Sequence, residues 1–280
     1  MVDLIKKIFY FYKSRGLYNT INQIFKSILY RIGIKFEYMP RKAIINLAKA
    51  RKIFSGRSLK YNSKGYWHVD PMPTSHELDE YYKLSYWDSF QPLNYGISHR
   101  DLRHYSLLIK IIPNFNETKK KILNFGAGHG GISIILNLLG HDVTNIEPSN
   151  MIDLFDKNWK SLNNLDYIED EKFDFIYGSH SLEHVQNLDN FNKKINEIIN
   201  EDTHFFWEVP NGDHSECGPK ENRIDIPHTY YFKKEYFLNF YKNILFLNIY
   251  DSEHANRLAP HEFSKSFKDN ADSLIVLAKN

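Results

Sequence analysis

Residues 122–131 read ILNFGAGHGG, an apolar run that enters four glycines within six residues. Ile132–Leu139 follows with apolar residues at helical spacing. The order dictates strand, tight turn and helix. Glycine takes positive φ without penalty and lets a ligand approach the backbone. The turn then presents the free N–H groups of a helix N-terminus, which suit a polar or anionic ligand. Glu147 comes 21 residues after Gly126, at the end of the next apolar run, Val143–Glu147. An acid so placed accepts both ribose hydroxyls of an adenosine.

The rest of the chain repeats this alternation. Ile122–Phe125, Val143–Glu147, Phe173–Gly178, Phe205–Val209, Leu245–Tyr250 and Ser273–Ala278 are expected strands, with Leu165–Ile168 the candidate third strand. Ile132–Leu139, Met151–Trp159, Leu188–Ile199 and Lys233–Tyr241 are expected helices. The fold class is therefore α/β, a Rossmann-like, mostly parallel sheet covered by helices, over residues 101–280. Residues 61–100 are rich in Tyr, Trp, Pro and Ser, and read as an irregular lid or linker around one helix, Ser75–Leu84.

Charge separates the N-terminal part. Residues 1–60 hold 14 Lys and Arg against Asp3 and Glu37, a net +12, while the remaining residues carry −10. Leu17, Tyr18, Ile21, Ile24, Phe25, Ile28, Leu29 and Ile32 recur at three- and four-residue steps, so residues 17–32 read as an amphipathic helix. Residues 3–12 and Arg41–Phe54 read as two more. This segment is either a basic helical cap on the main domain or a surface that meets anionic lipid or a protein partner. Cys217 is the single cysteine, which excludes a disulfide framework and a Cys-rich zinc module. No secretory signal and no membrane-spanning run are read. A cytoplasmic protein is expected, with the inner membrane surface as a peripheral alternative.

Two further segments decide between nucleotide ligands. FDFIYGSHSLEHV, residues 173–185, is a strand ending in Ser179-His180 and followed by Leu182-Glu183-His184. DTHFFWEVPN, residues 202–211, is a strand ending in Glu208-Val209-Pro210-Asn211. With the glycine loop, they resemble the class I S-adenosylmethionine-dependent methyltransferases, in the branch with an hxLEHV segment after the fourth strand and ExPN after the fifth. YWHVDPMPTSHELDEYY, residues 66–82, is similar to the lead-in of that branch. The resemblance implies a seven-stranded sheet with its last strand antiparallel. It implies S-adenosyl-L-methionine as cofactor, with Gly126, Ala127 and Gly128 against its methionyl end. Glu147, followed by Pro148, would hold the ribose, and Ser179 and His180 would line the methyl-transfer site. The sequence departs from the family at Asn124, where an acid is usual. No metal site is expected on this reading.

Methyl transfer from a sulfonium is an in-line displacement in which alignment carries much of the catalysis. A hydroxyl acceptor also needs a base, and histidine suits neutral pH. His180 and His228 are the candidates, with His214 third; His184 reads as a helix N-terminal polar contact. Tyr81, Tyr82, Tyr86 and Trp87 read as a lid or as core contacts, and Tyr86 is the chosen cation–π partner for the sulfonium. Arg100 and Arg103 read as binders of an acidic substrate or as a solvated helix face. The expected reaction is O-methylation of a sugar, nucleotide-sugar or surface-glycan acceptor, as in polysaccharide biosynthesis. Nucleic acid is not an expected partner, because no Asn/Asp-Pro-Pro-aromatic motif ends the fourth strand. Three alternatives stand beside this. Gly126, Gly128 and Gly131 also satisfy the dinucleotide motif of a nicotinamide-dependent oxidoreductase. A catalytically silent cofactor-binding subunit would share the site. His180-Ser181-Leu182-Glu183-His184 matches the inverted zinc-protease signature, with Glu253 or Glu262 as third ligand, though it straddles a strand exit.

Overall fold

In the computed structural model of the chain, the described residues are 51–84, 96–149, 157–214, 218–250 and 271–280. They fall within one compact unit, Ile45–Asn280. The expected helices at 3–12 and 17–32, Tyr86, Trp87, Glu253 and Glu262 lie outside the described residues. So does most of Arg41–Phe54, of which residues 51–54 are helical.

The elements run β1 (Ser58–Asn62), β2 (Tyr66–Asp70), α1 (Ser75–Leu84), α2 (His99–Ile111), β3 (Lys121–Phe125), α3 (Gly131–Leu138), β4 (Asp142–Ile146) and β5 (Lys160–Leu162). Then come β6 (Phe173–Ser179), α4 (Leu188–Glu197), β7 (Ile199–Pro210), β8 (Tyr230–Phe232), α5 (Lys234–Phe240), β9 (Asn243–Tyr250) and β10 (Ser273–Lys279). Seven strands form one sheet in the order β5-β4-β3-β6-β7-β10-β9. The pairs among β5, β4, β3, β6 and β7 are parallel. β10 is antiparallel to both β7 and β9. This is the Rossmann-like arrangement with an antiparallel last strand.

The two-residue period of each strand sorts its side chains onto two helical layers. Leu123, Ile176, Phe205, Trp207 and Val276 pack with Leu188, Phe191 and Ile195 of α4 and Phe237 of α5. Their immediate neighbours Ile122, Phe175, Phe206 and Ile275 pack on the other face with Leu107 and Leu108 of α2 and Ile132 and Leu136 of α3. Apolar runs with no polar alternation are what such a twice-covered sheet requires.

Two expected elements are corrected. The third strand is Lys160–Leu162, whereas Leu165–Tyr167 forms a 3₁₀ turn. Leu165 and Ile168 both reach the core across that turn, and the Asn164 side chain caps it by accepting from the Asp166 amide. The strand itself is a three-residue edge, too short to show a period. Residues 157–158 are a turn, so the C-terminal end of the expected helix Met151–Trp159 is not helical.

The described residues of the segment 61–100 are more regular than its composition implies. β1 and β2 pair as a hairpin, and β2 pairs in turn with β8 to make a second, three-stranded sheet. Gly65 closes the hairpin at φ +98°, where a Cβ would run into the backbone of Glu235 and Tyr236. Helix α2 begins at a capping box: Ser98 Oγ accepts from the Asp101 amide, and the Asp101 carboxylate accepts from the Ser98 amide.

Candidate active site

From β3 the chain moves outward to β4 and β5, then crosses to β6 and β7 on the other side. The loops after β3 and β6 therefore flank a topological switch point, where α/β sheets bind ligands. The glycine loop lies there. Gly126, Gly128 and Gly130 take φ of +72°, +54° and +71°. The Gly126 and Ala127 amides both donate to the Ile146 carbonyl at 2.9 Å, tying the loop to the end of β4. A Cβ at Gly126 would overlap the Ser181 side chain, so this loop and the segment after β6 are in contact.

Glu147 completes the loop from the β4 side. Its Oε2 accepts from the Gly128 amide at 2.7 Å. Its Oε1 accepts from the Ser149 amide at 3.0 Å and hydroxyl at 2.5 Å. Oε1 is thereby filled, and Oε2 keeps a lone pair for a further donor. The acid and the loop glycines thus converge on one place, and they fit an adenosine-containing cofactor. Asn124 is buried below the loop, and its amide group donates to the Ser133 hydroxyl at 2.8 Å. The neutral side chain is thereby built into a polar network with Asn145.

At the exit of β6, His180 takes φ +50°, which a residue with a Cβ rarely adopts. Its amide donates to the Glu208 carbonyl at 2.8 Å. The ring lies between two buried acids: Nδ1 is 3.3 Å from Glu183 Oε1, and Nε2 is 3.7 Å from Glu208 Oε2. Burial works against the imidazolium, but Glu183 and Glu208 outweigh it and raise the His180 pKa.

Glu208, in β7, is fully buried among donors from β6, α2 and β9. Ser179 Oγ donates to its Oε2 at 2.7 Å, and the Tyr250 hydroxyl donates to Oε1. His104 Nε2 of α2 lies 3.0 Å from Oε2, Arg100 Nε 3.7 Å from it, and Arg103 Nη2 3.9 Å from Oε1. Burial alone would raise this carboxyl, yet His104, His180 and Arg100 hold it well below the usual range. Arg103 is buried and donates to the Tyr250 hydroxyl at 3.2 Å, so it does not lie on a solvated face.

A second cluster gathers at Glu183. Leu182–His184 forms a 3₁₀ turn, not a helix. His180 and His184 are therefore not set on one helical face, as a zinc-protease motif needs. His228 comes instead from the loop before β8, and its ring centroid is 5.0 Å from that of His184. Burial pushes the His184 ring down to about 4 and lowers that of His228, while Glu183 stays low through His180 and His184 despite its burial.

The sequence profile of a family described as "Methyltransferase domain" matches residues 98–269, more than half of the chain. The chain belongs to this methyltransferase family. No curated protein matches the sequence. Among solved structures, an S-adenosylmethionine-dependent methyltransferase from Mesorhizobium loti is 15% identical, with 64% of this chain and 98% of that one covered at a TM-score of 0.47. One from Archaeoglobus fulgidus is 14% identical, covering 65% and 95%, at 0.46. The 1,6-didemethyltoxoflavin-N1-methyltransferase of Burkholderia thailandensis, solved with 1,6-didemethyltoxoflavin and S-adenosylhomocysteine, is 14% identical, covering 80% and 99%, at 0.46.

The protein is thus an enzyme of the methyl-transferring class. The nicotinamide-dependent reading of the glycine motif falls with that assignment. Of the residues singled out in the sequence, this methyltransferase brings Gly126, Ala127, Gly128 and Glu147 together at the loop, and Ser179 and His180 at the β6 exit. Pro148 follows Glu147 directly. His228 joins His184 and Glu183. His214 lies in the turn after β7, where its amide donates to the Asn211 carbonyl. Leu162 ends β5, and its carbonyl accepts from the Glu147 amide at 2.9 Å. Tyr81 is a core residue, whereas the Tyr82 hydroxyl lies 2.9 Å from His184 Nδ1. His104 and Glu208 were missed as members of the site. The ExPN segment contained Glu208, but no spacing rule pairs it with a helix that precedes β3.

Proposed function

We propose that this methyltransferase acts on a hydroxyl oxygen of a sugar, nucleotide-sugar or surface-glycan acceptor. The observation that supports an oxygen acceptor is His180. A base held between two buried carboxylates is suited to take a proton from a hydroxyl, which a more reactive nucleophile would not require. S-adenosylmethionine supplies an activated methyl group on a sulfonium. Gly126, Ala127 and Gly128 offer a close backbone approach to it. Glu147, with Pro148, accepts the ribose hydroxyls, and Ser179 and His180 face the transfer site. His180 holds the departing proton, and Glu183 and Glu208 stabilise the imidazolium that results. Tyr86 is kept as the aromatic partner of the sulfonium.

We place the enzyme in the cytoplasm, with residues 1–60 as a basic surface for anionic lipid or a protein partner. Among the described residues no helix is long and apolar enough to cross a membrane.

Calorimetric titration with S-adenosylmethionine and S-adenosylhomocysteine tests the cofactor assignment. Both should bind the full chain. Glu147→Ala should weaken them by about tenfold or more, the equivalent of about 1.4 kcal/mol. Unchanged affinity in that variant would remove Glu147 from the site. Transfer of a radiolabelled methyl group to nucleotide sugars then tests the acceptor class.

A further inference from the structure

We infer that Glu183, His184 and His228 form a binding site for a divalent first-row transition-metal ion beside the methyl-transfer site. This departs from the expectation that the enzyme has no metal. One ligand atom from each residue lies within 4.8 Å of the others. Two imidazoles and one carboxylate are a donor set that holds such ions and leaves positions open for an oxygen ligand.

Glu183 carries the argument furthest. Its side chain is 1% exposed, and neither carboxylate oxygen accepts a hydrogen bond among the described residues. Its charge is met only by imidazoles, His180 foremost, with no backbone amide or hydroxyl among the described residues donating to it, and a buried carboxylate so placed is costly. The groups nearest its Oε1 are imidazole nitrogens, His180 Nδ1 at 3.3 Å and His184 Nε2 at 3.9 Å. A cation among these groups would satisfy the acid.

His184 is backed in the manner of a metal ligand. The Tyr82 hydroxyl lies 2.9 Å from His184 Nδ1, and Asp225 Oδ2 lies 3.5 Å from His228 Nδ1. The Tyr82 contact orients the His184 ring and leaves its other nitrogen for an ion, whereas Asp225 reaches His228 as an ion pair without a hydrogen bond. The Pro227 carbonyl also accepts from the His184 ring, a contact that a bound ion would replace. The donor segments are tied to each other by Thr229. Its amide and hydroxyl both donate to the Glu183 carbonyl at 2.9 Å, and the hydroxyl also reaches the Val185 carbonyl at 2.8 Å. The donors are therefore held in place before any ion arrives.

The position gives the ion a use. Ser181, between His180 and the donor turn, touches Gly126 of the cofactor loop. An ion at Glu183 would bind and orient the oxygen of an acceptor next to His180. That last role rests on the methyl-transfer reading above, whereas the metal site itself does not.

The test uses the full, untagged chain freed of metal by a chelator. It is titrated separately with Zn²⁺, Mn²⁺ and Co²⁺ by calorimetry, and Co²⁺ is also followed by its visible ligand-field absorption. We expect one ion per chain for at least one of the three. Glu183→Gln and His228→Ala should each weaken that binding by roughly 10- to 100-fold or more. Both should retain S-adenosylhomocysteine binding, which also reports that they fold, and His228→Ala carries the test alone if Glu183→Gln does not fold. Glu147→Ala should show the opposite pattern, losing the sulfur ligand and keeping the metal. Absence of stoichiometric binding by all three ions, or binding unchanged in the folded variants, would overturn the site. Loss of sulfur-ligand binding by the parent chain would instead overturn the cofactor reading and leave the metal result standing.

Discussion

Gly178 shows how a single residue sets the approach of two elements. It lies one residue before the end of β6, and a Cβ there would overlap the buried Trp207 ring on β7 and crowd the Ser181 hydroxyl. The indole cannot retreat, because its Nε1 donates to the buried Tyr241 hydroxyl at 2.6 Å. Gly178→Ala should therefore destabilise the protein by about 1–3 kcal/mol, as overpacking does in a dense core. Urea denaturation measures this, and a variant as stable as the parent would show that the strands can part freely. Gly126 is limited in two ways, by its φ of +72° and by the Ser181 side chain. Glu147 and Gly126 were legible in the sequence because their roles follow from residue type and local spacing.

At the scale of elements, Glu208 fastens α2 to the sheet. It gathers Arg100, Arg103 and His104 from the helix, Ser179 from β6 and Tyr250 from β9. Removing one partner of a buried charged network leaves the others uncompensated. Glu208→Gln should cost about 3 kcal/mol by the same reasoning, read as a lower urea midpoint at neutral pH. The sign with pH follows from the depressed carboxyl. Its contribution is complete above the ordinary carboxylate value of 4.5 and is lost as pH falls toward the lower folded value. The difference in stability between parent and variant should shrink in acid. A constant difference would mean that the charge of Glu208 does not hold α2. A helix face at Arg100 and Arg103 was read from the sequence, but the anchoring of the helix through Glu208 was not.

For the whole molecule, histidine dominates the response to acid. His68, His104, His141, His184, His204 and His228 are all held below their ordinary value of 6.5, each chiefly by burial. The unfolded chain takes up protons at these rings as pH falls through 6.5, and the folded chain resists them. Stability must therefore fall as pH falls, by up to about 1.4 kcal/mol per pH unit for each ring held neutral. His180, whose pKa is raised, acts in the opposite sense. Thermal melts of chelator-treated protein should show Tm declining already between about pH 7 and about pH 5.5, before most carboxylates titrate. A Tm that holds steady until about pH 4.5 would show that the buried rings accept protons without strain.

The sequence by itself determined the strand–loop–helix unit, the acid one strand later, the doubly covered sheet and the methyltransferase family. These depend on φ preferences, on apolar periods of two and 3.6 residues, and on motifs contained in short segments. Only the tertiary structure decided that β5 is Lys160–Leu162, that β1 and β2 pair with β8, and that Glu208 faces α2. It also decided that His228 meets Glu183 and His184. Those contacts join residues far apart in the chain, and a linear spacing carries no information about them until strand order and loop closure bring the segments together.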